Sequence, residues 1–420
     1  MGMTYVQKLL ARACGKPVVA VGDVLEPPVH LAMSHENGAL VINQFNEIFQ
    51  GTGREPKVWD PSRIAIIFDH RVPAESSKTA TNQKKIREFI AQQGIRKFHD
   101  IRGDVGGICH QILPENGYVR PGFVLVGTDS HTTTHGALGA FAFGIGATEM
   151  AAVWALGRIL NVEVPGTIKV VVNGRFAPGV YAKDLILHLI GKLTAEGANY
   201  KVIEFHGEAI KDLPTSGRLV LCNMTVEAGA TAGVVPPDAE TERYLRDEAG
   251  VKEALDLFGP DRDAVYDRVV EIDAAVLGPQ IACPHAVDNV KPIGEVVGKK
   301  VHQIVVGSCT NGHSTTSRWR RRFSRASAWR TAPACWCSRP RGASTPRRCA
   351  WATCATSSRP ARWCAIPAVA RAWACTRGRW PTARRRSPRR TATSRDGWAT
   401  RMPRSTCARP RSPPPARSPA

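Results

Sequence analysis

The composition of this chain breaks at His313, and that break limits what can fold. From His313 to Ala420 there are 26 Arg, one Asp and no Lys or Glu. The same stretch has no Leu, Asn, Gln or Tyr, one each of Ile, Val and Phe, and eight of the ten Trp. A segment with no Leu and a single Ile, Val and Phe cannot bury enough apolar surface to offset the entropy of ordering it. The net charge of +21 therefore belongs to the tail, and the first 312 residues carry a net −4 (31 basic, 35 acidic). An Arg/Trp arm would also suit a nucleic-acid-binding protein, through phosphate contacts and base stacking. The absence of Lys and the abruptness of the change count against that, and no nucleic-acid partner is expected.

Within 1–312, strand-like apolar runs alternate with helical patterns, which predicts α/β architecture with mostly parallel sheets. The runs Ile64–Phe68, Phe123–Val126, Ile168–Val172 and Val301–Val306 read as strands. Helices are expected over Val6–Ala13, Lys84–Gln93, Ala147–Leu160, Ala182–Leu193 and Asp261–Val269. Pro165-Gly166 marks a boundary between domains 1–164 and 165–290, and a third domain begins at 291 and is cut short at 312. The glycines from Gly136 to Gly146 lack P-loop or dinucleotide spacing and read as close packing of a helix start on a sheet. Five scattered cysteines (Cys14, Cys109, Cys222, Cys283, Cys309) make no disulfide framework, and no apolar run reaches membrane-spanning length. A cytoplasmic, membrane-free protein is the expectation.

Three polar clusters follow apolar strands: Asp69-His70, Asp129-Ser130-His131 and Ser308-Cys309-Thr310-Asn311. Open α/β sheets bind ligands beyond the carboxyl ends of their strands, so the three can share one cleft. Singly each is weak. An Asp-His pair is more often structural than catalytic, and a strand-end Cys is usually a small buried hydrophobe. His110 alone reads as a satisfied core histidine. His131 and His135 have the i, i+4 spacing of a helical zinc pair, and a zinc hydrolase using them with His110 and Asp129 is a further reading. The intervening threonines are poor helix formers and the metalloprotease Glu is missing.

Taken in order, Phe68-Asp69-His70, Gly107-Ile108-Cys109-His110-Gln111, Gly127 to Thr132, Asn223 to Glu227 and Gly307 to Asn311 resemble the aconitase family. The resemblance implies a hydro-lyase that dehydrates and rehydrates a small hydroxy acid. Isopropylmalate is the expected substrate, and homologous tricarboxylic acids are the alternative. It implies a [4Fe-4S] cluster held by three cysteines, of which Cys309 matches the first. A Lewis acid there eases the loss of hydroxide, a poor leaving group. It also implies catalytic roles for Asp69, His70, His110, Asp129, His131 and Glu227, and substrate contacts for Ser130, Asn223 and Asn311. The family's proton-abstracting serine lies on a swivelling domain, which this chain does not contain, so a small partner subunit is implied.

Two family features are missing after His313: the Cys-x-x-Cys pair of the cluster and the Arg-rich substrate motif. Both can be encoded in a shifted reading frame. A two-base shift builds each hidden codon from the third base of one visible codon and the first two of the next. On that rule His313 to Arg321 can encode LDDLAVAA, and Ala365 to Ala374 can encode NPGCGPCLG. Pro388 to Trp398 can encode TANRNFKGRM, and Gly397 to Cys407 can encode MGNPDAEIYL. The single-codon residues Trp373, Trp398 and Met402 leave no freedom and still yield the required Gly, Gly and Ala. The tail is therefore expected to be a frameshift product, and the chain as it stands inactive.

Overall fold

The computed structural model describes residues 2–101, 106–301, 304–311 and 335–337. Two parallel sheets organise it. The first contains β1 (Leu31–Ser34), β2 (Ile64–Ile67), β3 (Lys97–His99), β4 (Val124–Gly127) and β5 (Phe141–Gly144), in the spatial order β3-β2-β1-β4-β5. The chain moves outward from β1 to β3, then returns to the other side of β1 for β4. That reversal puts a topological switch point between β1 and β4, where the loops beyond the strands part and leave a crevice. The second sheet contains β6 (Gly166–Asn173), β7 (Lys201–His206), β8 (Ala232–Val234) and β9 (Arg268–Asp273), in the order β8-β7-β6-β9.

Strands β1, β2 and β4 of the first sheet are buried along their whole length, as their mainly apolar runs require. Ile64 and Ile66 of β2 enter one core and Ala65 and Ile67 enter the other, the two-residue period of a pleated strand. Helices α1 (Tyr5–Ala13), α2 (Gly38–Phe49), α3 (Ser77–Gln93), α4 (Cys109–Glu115), α5 (Ala147–Leu156), α6 (Ala182–Leu193) and α7 (Thr215–Asn223) cover the sheets. A capping box opens α1: Thr4 Oγ1 accepts from Gln7 N–H, and Gln7 Oε1 accepts from Thr4 N–H. Such a cap contributes about 1 kcal/mol.

Three local details differ from the sequence expectation. Helix α3 starts at Ser77 rather than Lys84, because Ser76 caps it and its polar first turns show no apolar period. Helix α5 stops at Leu156, where Gly157 takes a left-handed φ of 73° with Trp59 packed against it. The expected helix over Asp261–Val269 is absent. Asp261 instead accepts from Met3 N–H and pairs with Lys8, and the chain from Arg268 becomes β9, with Val270 and Ile272 facing inward.

The glycine-rich stretch packs closely, as expected: Gly146 caps the start of α5 just after β5, and Gly136 meets a strand of the second sheet. A Cβ on Gly136 would stand 1.7 Å from the carbonyl oxygen of Gly233. Beyond the second sheet, Ile304–Val306 forms a short strand paired in parallel with Cys335–Cys337. The rest of the tail expectation, and the side chain of Asn311, lie outside the described residues. Among the described residues no helix is long and apolar enough to cross a membrane.

Candidate active site

Strands β1, β2 and β4 end side by side at the switch point, and each is followed at once by ionisable residues. Asp129 is the centre. Its Oδ2 lies 2.9 Å from His70 Nε2, and its Oδ1 lies 2.9 Å from His110 Nε2. Oδ1 also accepts the backbone N–H of His131 at 2.8 Å, which fixes the carboxylate at the start of a 3-10 stretch, Ser130–Leu138. His70 Nδ1 in turn lies 2.6 Å from Asp69 Oδ1, and Asp69 Oδ2 accepts the Cys109 N–H at 2.6 Å. Helix α4 is thereby anchored on the end of β2, and its next residue, His110, faces Asp129.

The second half of the molecule reaches the same cleft with a helix end. Helix α7 runs into a 3-10 turn, Met224–Ala228, that carries Glu227. Glu227 Oε1 lies 3.3 Å from His131 Nε2. Asn223, fully buried, donates from Nδ2 to Thr134 Oγ1 at 2.8 Å, joining α7 to the 3-10 stretch. Ser130 stands exposed on the rim.

Charge follows from these contacts. Burial alone would lower the pKa of His70, but its hydrogen bonds to Asp129 and Asp69 outweigh burial and push it up to about 10. His131 is also opposed by burial, yet Asp129 and Glu227 push it up to about 11. Both are imidazolium at neutral pH. Asp129 is penalised by burial but held well below the usual carboxylate range by its three histidines. The protons on His70 are held toward Asp69 and Asp129, and those on His131 toward Asp129 and Glu227.

Three residues at this site were not singled out from the sequence. The His35 ring stacks on His70 with centroids 3.8 Å apart, and Glu36 accepts the backbone N–H groups of His70 and Arg71. Both follow β1 directly, so the rule that found Asp69-His70 would have found them had β1 been recognised. Burial lowers the pKa of Lys183, partly buried in α6, and the nearby Glu227 carboxylate opposes that shift. The zinc reading does not hold together. His110 and His131 both turn to the same Asp129 oxygen, whereas His135 lies behind His110.

Cys309 sits where Gly307-Ser308 turns out of the short strand Ile304–Val306. Ser308 adopts a left-handed φ of 69°, a strained conformation for a residue with a side chain, and Cys309 is buried against the amide of Asn223. The cluster that the family resemblance implies is held by three cysteine thiolates. Among the described residues the only other thiol at the site is Cys109. Burial and the Asp69 and Asp129 carboxylates keep it protonated. The donors present do not fit a [4Fe-4S] cluster. Two buried polar atoms at the same end, Asn223 Oδ1 and Glu227 Oε2, have no hydrogen-bond partner among the described residues.

The sequence profile of the aconitase family (aconitate hydratase) matches residues 42–305. The chain is 47% identical over 319 residues to a probable 3-isopropylmalate dehydratase large subunit of Methanothermobacter thermautotrophicus, covering 76% of this chain and 74% of that protein. It is 47% identical over 313 residues to a 3-isopropylmalate dehydratase large subunit of Methanopyrus kandleri, covering 74% and 72%. A probable methanogen homoaconitase large subunit of Methanosarcina mazei is 48% identical over 285 residues, covering 68% and 70%. These matches join the order of motifs to the geometry of the cleft: the chain belongs to the aconitase family of hydro-lyases.

Proposed function

We propose that residues 1–312 are the proton-handling part of the large subunit of a two-subunit isopropylmalate dehydratase, whose third domain has been lost to a frameshift near codon 313. The observation that carries this reading is Asp129, clamped by His70 and His110, with His131 bridging from its loop to Glu227. In this reading His70 and His131 give protons to the departing hydroxyl, and Asp69, Asp129 and Glu227 hold the rings in place. Ser130, Asn223 and Asn311 contact substrate. The base that removes the carbon-bound proton comes from a small subunit with a swivelling domain. The domain divisions at 164/165 and 290/291 belong to the same proposal. Homoaconitase chemistry is the second reading, favoured by the 48% identity to the Methanosarcina mazei protein.

The chain as it stands is expected to be inactive. Anaerobic reconstitution with iron and sulfide should give no stoichiometric cluster absorption, because one matched cysteine cannot replace three. The frame-restored chain, assayed with its small subunit, should convert isopropylmalate faster than homocitrate or citrate. A preference for homocitrate would move the assignment to homoaconitase. A stable cluster with turnover in the unrestored chain would overturn the reading of the tail.

A further inference from the structure

The Asp129 network does not account for His135. This histidine is fully buried in the Ser130–Leu138 stretch, with its Nε2 3.3 Å from His110 Nδ1 and the two rings tilted by 53°. Its own Nδ1 has no hydrogen-bond partner among the described residues. These two facts, a shared contact and an orphaned nitrogen, restrict where the protons are.

An ionised carboxylate accepts and cannot donate, so His110 Nε2, facing Asp129, carries a proton. Two arrangements then satisfy the contact between the rings. In the first, His110 is doubly protonated and donates from Nδ1 to His135 Nε2. A neutral His135 must then carry its proton on Nδ1, an N–H buried with no acceptor. In the second, His135 carries its proton on Nε2 and donates to a bare His110 Nδ1. What stays orphaned is then only a lone pair. Buried N–H groups without acceptors are the rarer and costlier of the two. Burial keeps His135 uncharged, pushing its pKa well below the ordinary value. The titratable groups facing it are His110 on α4 and Asp129 beyond β4.

We propose that His135 is a positioning residue that donates a hydrogen bond to His110 Nδ1 and holds His110 as the neutral Nε2–H tautomer. His110 then serves Asp129 as a fixed neutral donor, and the protons available to a leaving group reside on His70 and His131. The catalytic consequence rests on the hydro-lyase reading; the tautomer does not.

The test uses the full chain labelled with 15N at its histidine rings. Long-range proton–nitrogen spectra at pH 7 should show His110 Nδ1 unprotonated and accepting, with Nε2 protonated. The His110 signals are assigned by their loss in His110→Gln. His135→Gln keeps an N–H donor of similar reach and should leave His110 neutral. His135→Phe fills the space without a donor, and His110 should gain its second proton. A doubly protonated His110 in the unsubstituted chain overturns the proposal, and this needs no variant to fold. So does His135→Phe with both His110 nitrogens unchanged. In the frame-restored enzyme with its partner, His135→Phe should shift a limb of the pH–rate profile by about one unit or more, and His135→Gln should not. Absence of turnover in every form would remove the hydro-lyase reading while leaving the spectroscopic result standing.

Discussion

The two sheets have the same design and spend it differently. Each is parallel, and each reverses once about its first strand, between β1 and β4 in one and between β6 and β9 in the other. In the first, the residues beyond the strands are His35-Glu36, Asp69-His70 and Asp129, a charged network at the switch point. In the second, the strand ends are structural. Gly207 ends β7 with φ of 103°, and a Cβ there would stand 2.1 Å from the carbonyl of Val172. The His206 side chain turns back to Glu204, which is buried and also accepts from Tyr5 N–H and Tyr266 O–H. This half reaches the cleft with the end of α7. A carboxyl-end crevice is thus an opportunity for chemistry, and side-chain choice decides whether it is taken.

That contrast can be broken by measurement. The largest effect is expected from Asp129→Ala, which strips a buried carboxylate from its histidine partners and should cost about 3–5 kcal/mol in urea unfolding. A loss near zero would mean that the network does not organise the first half. Next is pH. The folded pKa of His70 is raised to about 10, so its contribution is fully present below the unfolded value of about 6.5 and falls as the pH rises. Above about 10 it is gone. The stability gap between the chain and His70→Gln should shrink along that course, and a gap that widens with pH would show the sign to be wrong. In the second half, Gly207→Ala should cost about 1–3 kcal/mol through strain, with no comparable pH dependence. Lys84→Ala removes an exposed partner of Glu88 outside both strand-end regions and should change stability by less than about 0.5 kcal/mol.

The sequence was most readable where apolar runs met ionisable residues. Asp69, His70, Asp129, His131 and Cys309 could be placed because a buried parallel strand is a continuous apolar run and its end is abrupt. His35 and Glu36 obey the same rule but follow β1, a four-residue strand, Leu31–Ser34, that includes Ala and ends in Ser. Asp261–Val269 failed for the opposite reason. Its mix of charged and apolar residues fits a helical period, but contacts with Met3 and Lys8, more than 250 residues away in sequence, hold Asp261 in a loop. The tautomer network around His110 was beyond reach, because it depends on α4 and the 3-10 stretch being pressed together.

The amino-terminal helix has a consequence for synthesis on the ribosome. Met3 and Lys8 bind Asp261, Tyr5 binds Glu204, and Gly2 bridges to Ala264. The first residues made must wait for partners 258 positions later. At about 5–20 residues per second that delay is roughly 13–50 s. During it the apolar face of α1 needs shelter, from a chaperone or from other nascent chain. The last of these partners, Ala264, emerges before the composition breaks at His313. A ribosome reading this message therefore makes all of these partners of the amino-terminal helix before the altered segment begins.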